Sequence, residues 1–477
     1  AGADVTLVEA SDDVGGVMQS SRRDGYLVEH GPNSCQLTGE LSALLDALGL
    51  NGLMRLAAPQ AQRRFIVRDG RALAVPMSPL AMLRSPLFSL GAKLRILCEP
   101  FVRPRTDASD ESVASFVRRR LGVEPLTYAV DPFVSGVYAG DPERLSISHA
   151  FPRLAALERE HGSLVRGMIA GARKARAARG DSGRAPARQS IVSFPDGMGT
   201  LPHALAEALG GGNILRRSRV TAIEPGDGGA SLVTVERGAD TFTLPADAVV
   251  STLPMHAVAS IRLPADAAAA VAQMTSLPYP AVISLALGFR RAEISHALDG
   301  FGCLIPSAER RVTLGVLFSS TLFANRAPDG HVLLTCFVGG TRHPELGTAS
   351  TESLLGIVLP ELAELLGVAG APTFVQRTTW PHAIPQYDLG HDAYGHAADA
   401  IEAMVPGLII DGQFRRGVSV GDCVAAGAQI AQRALTLAEV RRRHRSAGGA
   451  PPDAASLERD VPASVELSPQ QRPTAAG

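Results

Sequence analysis

Short apolar runs and helical periodicities alternate along the chain. It opens on Val5-Thr6-Leu7-Val8-Glu9, an apolar strand ending in an acid, and Tyr26-Leu27-Val28-Glu29 has the same form. Leu41, Leu44, Leu45 and Leu48 recur at i, i+3, i+4 and i+7, one face of a helix, with Gly49 as its C-terminal cap. Arg64-Phe65-Ile66-Val67 and Leu73-Ala74-Val75-Pro76 flank Asp69-Gly70, so residues 62–76 read as a hairpin. Over residues 77–187 the pattern is mostly helical and is punctuated by prolines. Strand patterns return over 190–262, including Val249-Val250-Ser251-Thr252-Leu253-Pro254, and 281–289, 301–305, 312–318 and 332–338 predict an antiparallel sheet. A helix is expected over 352–366. Leu408-Ile409-Ile410 predicts a last strand, followed by Asp411-Gly412 and a helix from Asp422 to Leu437. Residues 438–477, rich in Arg, Pro, Ala and Ser, read as a disordered tail.

The order of these elements predicts an α/β fold. Nucleotide-fold strands stand near the start, near 250 and near 410, so a Rossmann-like domain would comprise 1–50, 188–262 and 385–437. A mixed-sheet substrate domain would take 51–76 and 263–384, with a helical domain over 77–187. A length of 477 residues accommodates such a division, and 45% hydrophobic residues make an ample core. A net charge of −1 gives no reason to expect nucleic acid. The five cysteines are scattered without a C-x-x-C pair, which suggests neither a metal site nor a disulfide framework. No uncharged apolar run is long enough to cross a bilayer. Lysine occurs only at Lys93 and Lys174 beside abundant arginine, which reads as a GC-rich bacterial coding bias. The run Arg173-Lys174-Ala175-Arg176-Ala177-Ala178-Arg179 reads first as a solvated helix end, and more sharply as a surface for anionic lipid headgroups.

The candidate chemistry begins at Glu9. An acid ending the second strand of a dinucleotide-binding unit takes ribose hydroxyls and stands about 20 residues after a G-x-G-x-x-G turn. Only eight residues precede Glu9, so the first strand, that turn and nearly all of the first helix are expected to be missing. Gly15-Gly16 allows backbone to approach a ligand without a Cβ in the way. Gly31-Pro32-Asn33-Ser34 is a turn signal after a strand. Gly412 and Gly417-Val418-Ser419-Val420-Gly421-Asp422 lead into a helix N-terminus, which offers free N–H groups to a phosphate or a ring carbonyl. His30, His256, His382, His391 and His396 show neither metal spacing nor a nucleophile partner.

In combination these segments match a family. Glu9 with Gly15-Gly16, Gly31-Pro32-Asn33, Gly136-Val137-Tyr138-Ala139-Gly140-Asp141 with Leu145-Ser146, Trp380-x-x-x-Ile384-Pro385-Gln386-Tyr387-x-Leu389-Gly390-His391, and Gly417-Val418-Ser419-Val420-x-Asp422-Cys423 occur in that order. They closely resemble the FAD-dependent, oxygen-dependent protoporphyrinogen oxidases of haem biosynthesis, within the wider monoamine-oxidase-like flavoproteins, from residue 3 to about 437.

The resemblance implies FAD as cofactor. Glu9 would hold the adenosine ribose, and Gly15, Gly16 and Val17 would lie against pyrophosphate and flavin. Gly31, Pro32, Asn33 and Ser34 would line the isoalloxazine, and Val220 would meet the adenine end by backbone. Trp380, Ile384 and Gln386 would sit by the ring, with Val418, Ser419 and Val420 at its pyrimidine edge, and Gly412 joins the implied cofactor-binding residues. Arg64 would pair with a substrate propionate, although Arg63 beside it could be the inward one, and Leu304, Leu317 and Phe337 would sandwich the tetrapyrrole. Gly140 joins the implied substrate residues. Asp13 departs from the family, which often has arginine near the pyrophosphate. The implied reaction removes six electrons from protoporphyrinogen IX, with O2 as acceptor, giving protoporphyrin IX and H2O2. No side chain is needed as nucleophile or obligatory base. The alternatives are a coproporphyrinogen III oxidase, another amine-oxidase-like flavoprotein, and a truncated chain unable to hold FAD. A homodimer, a cytoplasmic location and peripheral contact with the cell membrane through the helical domain are further expectations from the family.

Overall fold

The computed structural model describes residues 3–105, 107, 109–182, 190–226 and 230–446. Two parallel strand pairs carry the nucleotide-fold part: Leu7–Val8 beside Ile214–Leu215, and Val249–Ser251 beside Leu408–Ile410. All three residues of Leu408–Ile410 are apolar and buried, as a parallel strand covered on both faces requires. An antiparallel sheet of Arg219–Pro225, Ser231–Arg237 and Asp240–Ala246 stands beside them in the chain. The Gly39–Ala47 helix buries Leu41 and Leu45, and Gly49 follows it at φ +68°.

The largest sheet has seven strands in the order Phe374–Trp380, Val282–Arg290, His331–Gly339, Thr313–Leu317, Gly302–Leu304, Phe65–Arg68 and Arg71–Ala74. Four of them are the expected antiparallel run. The sheet is nevertheless mixed, because Gly302–Leu304 pairs parallel with Phe65–Arg68 of the predicted hairpin. Side chains alternate between its faces. Phe65, Val67, Cys303, Val316 and Cys336 turn to the Thr351–Leu366 helix and pack on Leu354, Val358 and Leu362. Ile66, Leu304, Leu317, Thr335 and Phe337 occupy the other face.

Two layers cover that second face. Over one half lies the hairpin of Ser20–Arg23 and Tyr26–Glu29. Its Tyr26 ring stacks on Phe374 at 4.5 Å and occupies the space left by Gly288, and His30 Nδ1 lies 2.8 Å from Thr378 Oγ1. Over the other half lies the helical layer, whose Asp131–Tyr138 helix is pinned to the sheet. There Thr341 N donates to Ala139 O at 2.8 Å, and Arg342 donates to Ser135 Oγ at 2.7 Å and to Ile305 O at 3.0 Å. A buried charge cluster holds the helical layer together. Glu99 and Arg120, both fully buried, pair with each other, and Glu99 also accepts from Ser163 Oγ and from the amides of Leu164 and Val165 at the start of the Leu164–Ser182 helix. Arg173 and Lys174 of the basic run are exposed on that helix.

The last helix runs from Val420 to Ser446, so residues 438–446 are helical rather than part of a disordered tail. Arg441 is buried and donates to Asp247 O at 3.1 Å, tying the helix end to the turn that precedes the Val249–Ser251 strand. The expected tail over 447–477 lies outside the described residues.

Candidate active site

The cofactor-binding candidates converge from four distant segments. Glu9 follows the Leu7–Val8 strand and is half-buried. Its N–H donates to Leu215 O, its C=O accepts from Ser218 N, and one carboxylate oxygen accepts from Ser11 N at 2.7 Å. The turn after it needs both glycines for different reasons. Gly15 has φ +101°, and a Cβ there would stand 2.8 Å from the Pro202 ring; Gly16 has φ +57° and faces open space. Gly31 lies so close to Val17 that a Cβ would overlap the Val17 carbonyl, which brings the Gly31–Ser34 segment against this turn. Trp380 fixes the same segment by donating Nε1–H to His30 O at 2.6 Å. Asp13 turns to the Thr200–Leu209 helix, where the hydrogen bond with His203 Nε2 at 2.9 Å holds its carboxyl below the usual range, with Arg216 at 3.8 Å. Its charge is thus answered within the protein, by the His203 hydrogen bond and the nearby Arg216.

At the other end, Gly412 and Gly417 have φ of +143° and +123° and bracket the turn into the last helix. Ser419 and Asp422 cap that helix reciprocally: Asp422 N donates to Ser419 Oγ at 3.1 Å, and Ser419 N donates to Asp422 Oδ2 at 3.3 Å. The first-turn amides of Val420 and Gly421 have no acceptor within the helix and mark its positive end. Val420 packs with Cys35 and Leu41, and a Cβ on Gly421 would stand 3.2 Å from Thr38 Cγ2, so this helix start adjoins the Gly31–Ser34 segment. Val220 is half-buried, next to a bulge in the Arg219–Pro225 strand.

The substrate candidates share one sheet face. Leu304 and Phe337 both pair with Gly315, and Leu317 pairs with Gly302. Two glycines between three large apolar side chains make a flat floor. Arg64 lies one place before Phe65, which pairs with Cys303, and therefore in line with Gly302 and Leu317. Arg63 is paired with Asp299, whereas Arg64 is exposed, lies 5.5 Å over the Phe301 ring, and has no acidic partner among the described residues. The arginine left for a ligand is Arg64. Within the Gly136–Asp141 stretch it is Gly136 that abuts Leu304, while Gly140 is buried against Gln386. Gln386 in turn donates Nε2–H to Tyr138 O at 2.9 Å and to Ile384 O at 3.1 Å, joining the two family segments. Its Oε1 is buried without a partner.

Sequence reasoning missed a buried ion pair here. Glu29, 5% exposed, lies with Oε1 2.9 Å from Nη1 of Arg326, 2% exposed. Burial pushes the Glu29 carboxyl up, and Arg326, Ser20 and the Met198 amide pull against it. An acid closing the apolar run Tyr26-Leu27-Val28 was the available signal; Arg326 lies in a loop that gave none.

The residues present fit FAD: a glycine turn open at Gly16, a helix start with free amides and an acid at the strand end. The family model for flavin containing amine oxidoreductases matches residues 1–435. Protoporphyrinogen oxidase 2, chloroplastic/mitochondrial, of Arabidopsis thaliana is 34% identical over 92% of this chain and 90% of its own length. Coproporphyrinogen III oxidase of Bacillus subtilis is 28% identical, over 91% and 92%. Among solved structures, one described as a candidate protoporphyrinogen oxidase from Exiguobacterium sp. 255-15 superposes with a TM-score of 0.72 at 24% identity, over 90% of this chain and 92% of that one.

Proposed function

The chain belongs to the flavin containing amine oxidoreductase family, and from that premise we propose that it oxidises protoporphyrinogen IX to protoporphyrin IX in haem biosynthesis, with FAD as cofactor and O2 as acceptor, giving H2O2. The observation that carries this reading is the flat floor of Leu304, Leu317 and Phe337 around Gly302 and Gly315, with Arg64 in line with it. A broad macrocycle can lie on such a floor while the guanidinium takes a propionate bidentately.

FAD supplies the hydride acceptor, because no side chain of the site offers redox chemistry of that kind. The chain's own residues bind and orient. Glu9 holds the adenosine ribose; Gly15, Gly16 and Val17 admit the pyrophosphate. Gly31–Ser34 and Trp380 line the ring, and the amides at Val420 and Gly421 favour negative charge at its pyrimidine edge. Proton loss is driven by aromatisation, and no side chain is assigned as base. Arg342, Arg68 and Arg326 are further cations against this face, and each is committed to protein partners: Arg342 to Ser135 and Ile305 O, Arg68 to Glu124 and Arg326 to Glu29. One free arginine favours protoporphyrinogen, with two propionates, over coproporphyrinogen, with four.

The helical layer suits contact with an anionic bilayer at the inner face of the cell membrane. Leu90, Leu94 and Leu97 recur along one exposed stripe of the Leu90–Leu97 helix, Leu90 is 77% exposed and the neighbouring Phe101 is 83% exposed. No helix among the described residues is long and apolar enough to cross a membrane.

The test is anaerobic mixing of the FAD-loaded protein with each porphyrinogen while the visible flavin absorbance is followed. Bleaching by protoporphyrinogen, then recovery of the flavin on admitting O2, is expected. No bleaching by either porphyrinogen would sink the reading, and faster bleaching by coproporphyrinogen would reassign the substrate.

A further inference from the structure

Glu29 and Arg326 join three parts of the molecule from the inside, where the more exposed Arg22 also reaches Asn325 O and Pro195 O. Glu29 ends the Tyr26–Glu29 strand, two residues before the Gly31–Ser34 segment. Its carboxylate accepts from Met198 N at 3.1 Å and from Ser20 Oγ, and Ser20 Oγ accepts from Gly199 N at 3.0 Å. Gly197 has φ +89° and no room for a Cβ beside Ser20, so the chain entering the Thr200–Leu209 helix is held flush against the pair. Pro202 of that helix is the residue that backs Gly15. From the other side comes Arg326, in the loop that precedes the His331–Gly339 strand. It donates Nη2–H to Ser193 Oγ at 2.6 Å, and its backbone C=O accepts from Leu27 N. Asn33, Glu29, Arg326, Ser319 and Thr335 line one narrow cleft. Thr335 is the register partner of Leu317 and lies two residues before Phe337 on the same strand.

A buried ion pair is a poor source of net stability, since desolvation offsets the attraction, and a hydrophobic replacement of equal size often does as well. What this pair does provide is position. The segment Gly31–Asn33 is fixed on its flank by Trp380 and at Val17, and at its entry by Glu29. Resting on the reading above, we propose that Glu29 and Arg326 are positioning residues that set the distance and tilt between the flavin-lining segment Gly31–Asn33 and the substrate floor of Leu317 and Phe337. Neither touches the reacting atoms. Their effect passes through the backbone of His30 and Gly31 on one side and through the His331–Gly339 strand on the other.

Glu29→Gln alone leaves a buried, unpaired guanidinium and can simply fail to fold. The informative variant is therefore Glu29→Gln/Arg326→Gln, which removes both charges and keeps a hydrogen-bonding group at each position. Three measurements go together on the FAD-loaded protein: thermal midpoint, visible circular dichroism of the bound flavin, and the anaerobic bleaching rate with protoporphyrinogen and with dithionite, a reductant that needs no docking. The expected result is a folded, yellow protein with altered flavin dichroism and an unchanged dithionite rate. Its maximal bleaching rate with protoporphyrinogen should fall about ten-fold or more, with half-saturation moved less than about three-fold. A folded variant with native dichroism and native rates overturns the proposal. So does a double variant that unfolds or loses FAD, because the pair would then be a stabilising element. If the unmodified protein is not bleached by any porphyrinogen, the functional reading fails; the dichroism still decides whether the pair orients the flavin-lining segment.

Discussion

Replacing Gly16 by Ala separates a glycine that the backbone needs from one that a ligand needs. Gly16 has φ +57°, and a Cβ there would meet no protein atom within 4 Å. An alanine held in that left-handed conformation costs about 1–2 kcal/mol. The cost falls on the apoprotein and the FAD complex alike, so it lowers the thermal midpoint by a few degrees and cancels from the dissociation constant. Any loss of FAD affinity therefore measures how closely the cofactor approaches that backbone. A methyl group forced against a filled site costs about 1–3 kcal/mol by analogy with overpacked cores, which is about 5- to 150-fold in Kd. Gly15→Ala is the control. Its Cβ would stand 2.8 and 2.9 Å from Pro202 atoms at φ +101°, so the protein collides with itself. Its apoprotein should lose more stability than that of Gly16→Ala. The assay is titration of FAD into each apoprotein, followed by quenching of flavin fluorescence, beside differential scanning of the same samples. Gly16→Ala that keeps its FAD affinity within about two-fold, while its midpoint drops as expected, would refute the reasoning: the open space beside Gly16 would then face solvent.

Three other outcomes are expected. Arg64→Ala should raise KM for protoporphyrinogen about 10- to 100-fold, the worth of a charged hydrogen bond, while Arg63→Ala, which loses only an exposed pair with Asp299, should change KM by less than about three-fold in the same steady-state assay. Acid should loosen the helical layer first. Burial alone would raise Glu99 and Glu158, but Ser163 and the Leu164 and Val165 amides at Glu99, and Arg119 at Glu158, outweigh it and hold both carboxyls below the ordinary 4.5. The stability they confer is complete above that value and is lost as pH falls through their lower folded values; amide exchange in the Val113–Arg120 and Leu164–Ser182 helices, measured below pH 4.5, should rise before exchange in the seven-stranded sheet. Leu94→Gln with Leu97→Gln, both 62% exposed, should reduce flotation with anionic liposomes and leave the midpoint within about 1 °C; undiminished flotation would remove this face as the membrane contact.

What was legible in the sequence is what local patterns encode. Leu41 and Leu45 announced their helix, Asp69-Gly70 its turn, and the apolar strands of the seven-stranded sheet their order in the chain. Phe374–Trp380 escaped because six of its seven residues are half-buried at a sheet edge and follow no apolar alternation. The helix over 438–446 escaped because Arg441 binds a distant carbonyl, which composition does not reveal. At the site, motif residues were found and their partners were not. Arg63 and Arg64 became distinguishable only once Asp299 was seen beside one of them. The motif glutamine, Gln386, proved to fasten its own segment to Tyr138 of the helical layer, and Glu29 acquired a role only through Arg326, almost three hundred residues further along.

The parallel pairing of the first strand has a consequence for how the protein is made. Leu7–Val8 finds its neighbour at Ile214–Leu215, and the Tyr26–Glu29 strand is fixed by Arg326, Thr378 and Trp380. At ribosomal rates of about 5–20 residues per second, roughly 20–80 s separate the emergence of Glu9 from that of Val420. For most of that interval the hairpin over 20–29 waits for Arg326, Thr378 and Trp380, and no complete nucleotide pocket exists. Cofactor capture is then a late event that waits for the last helix to emerge. In an overproducing cell, extra chaperone should increase the yield of yellow protein, whereas extra riboflavin alone should not.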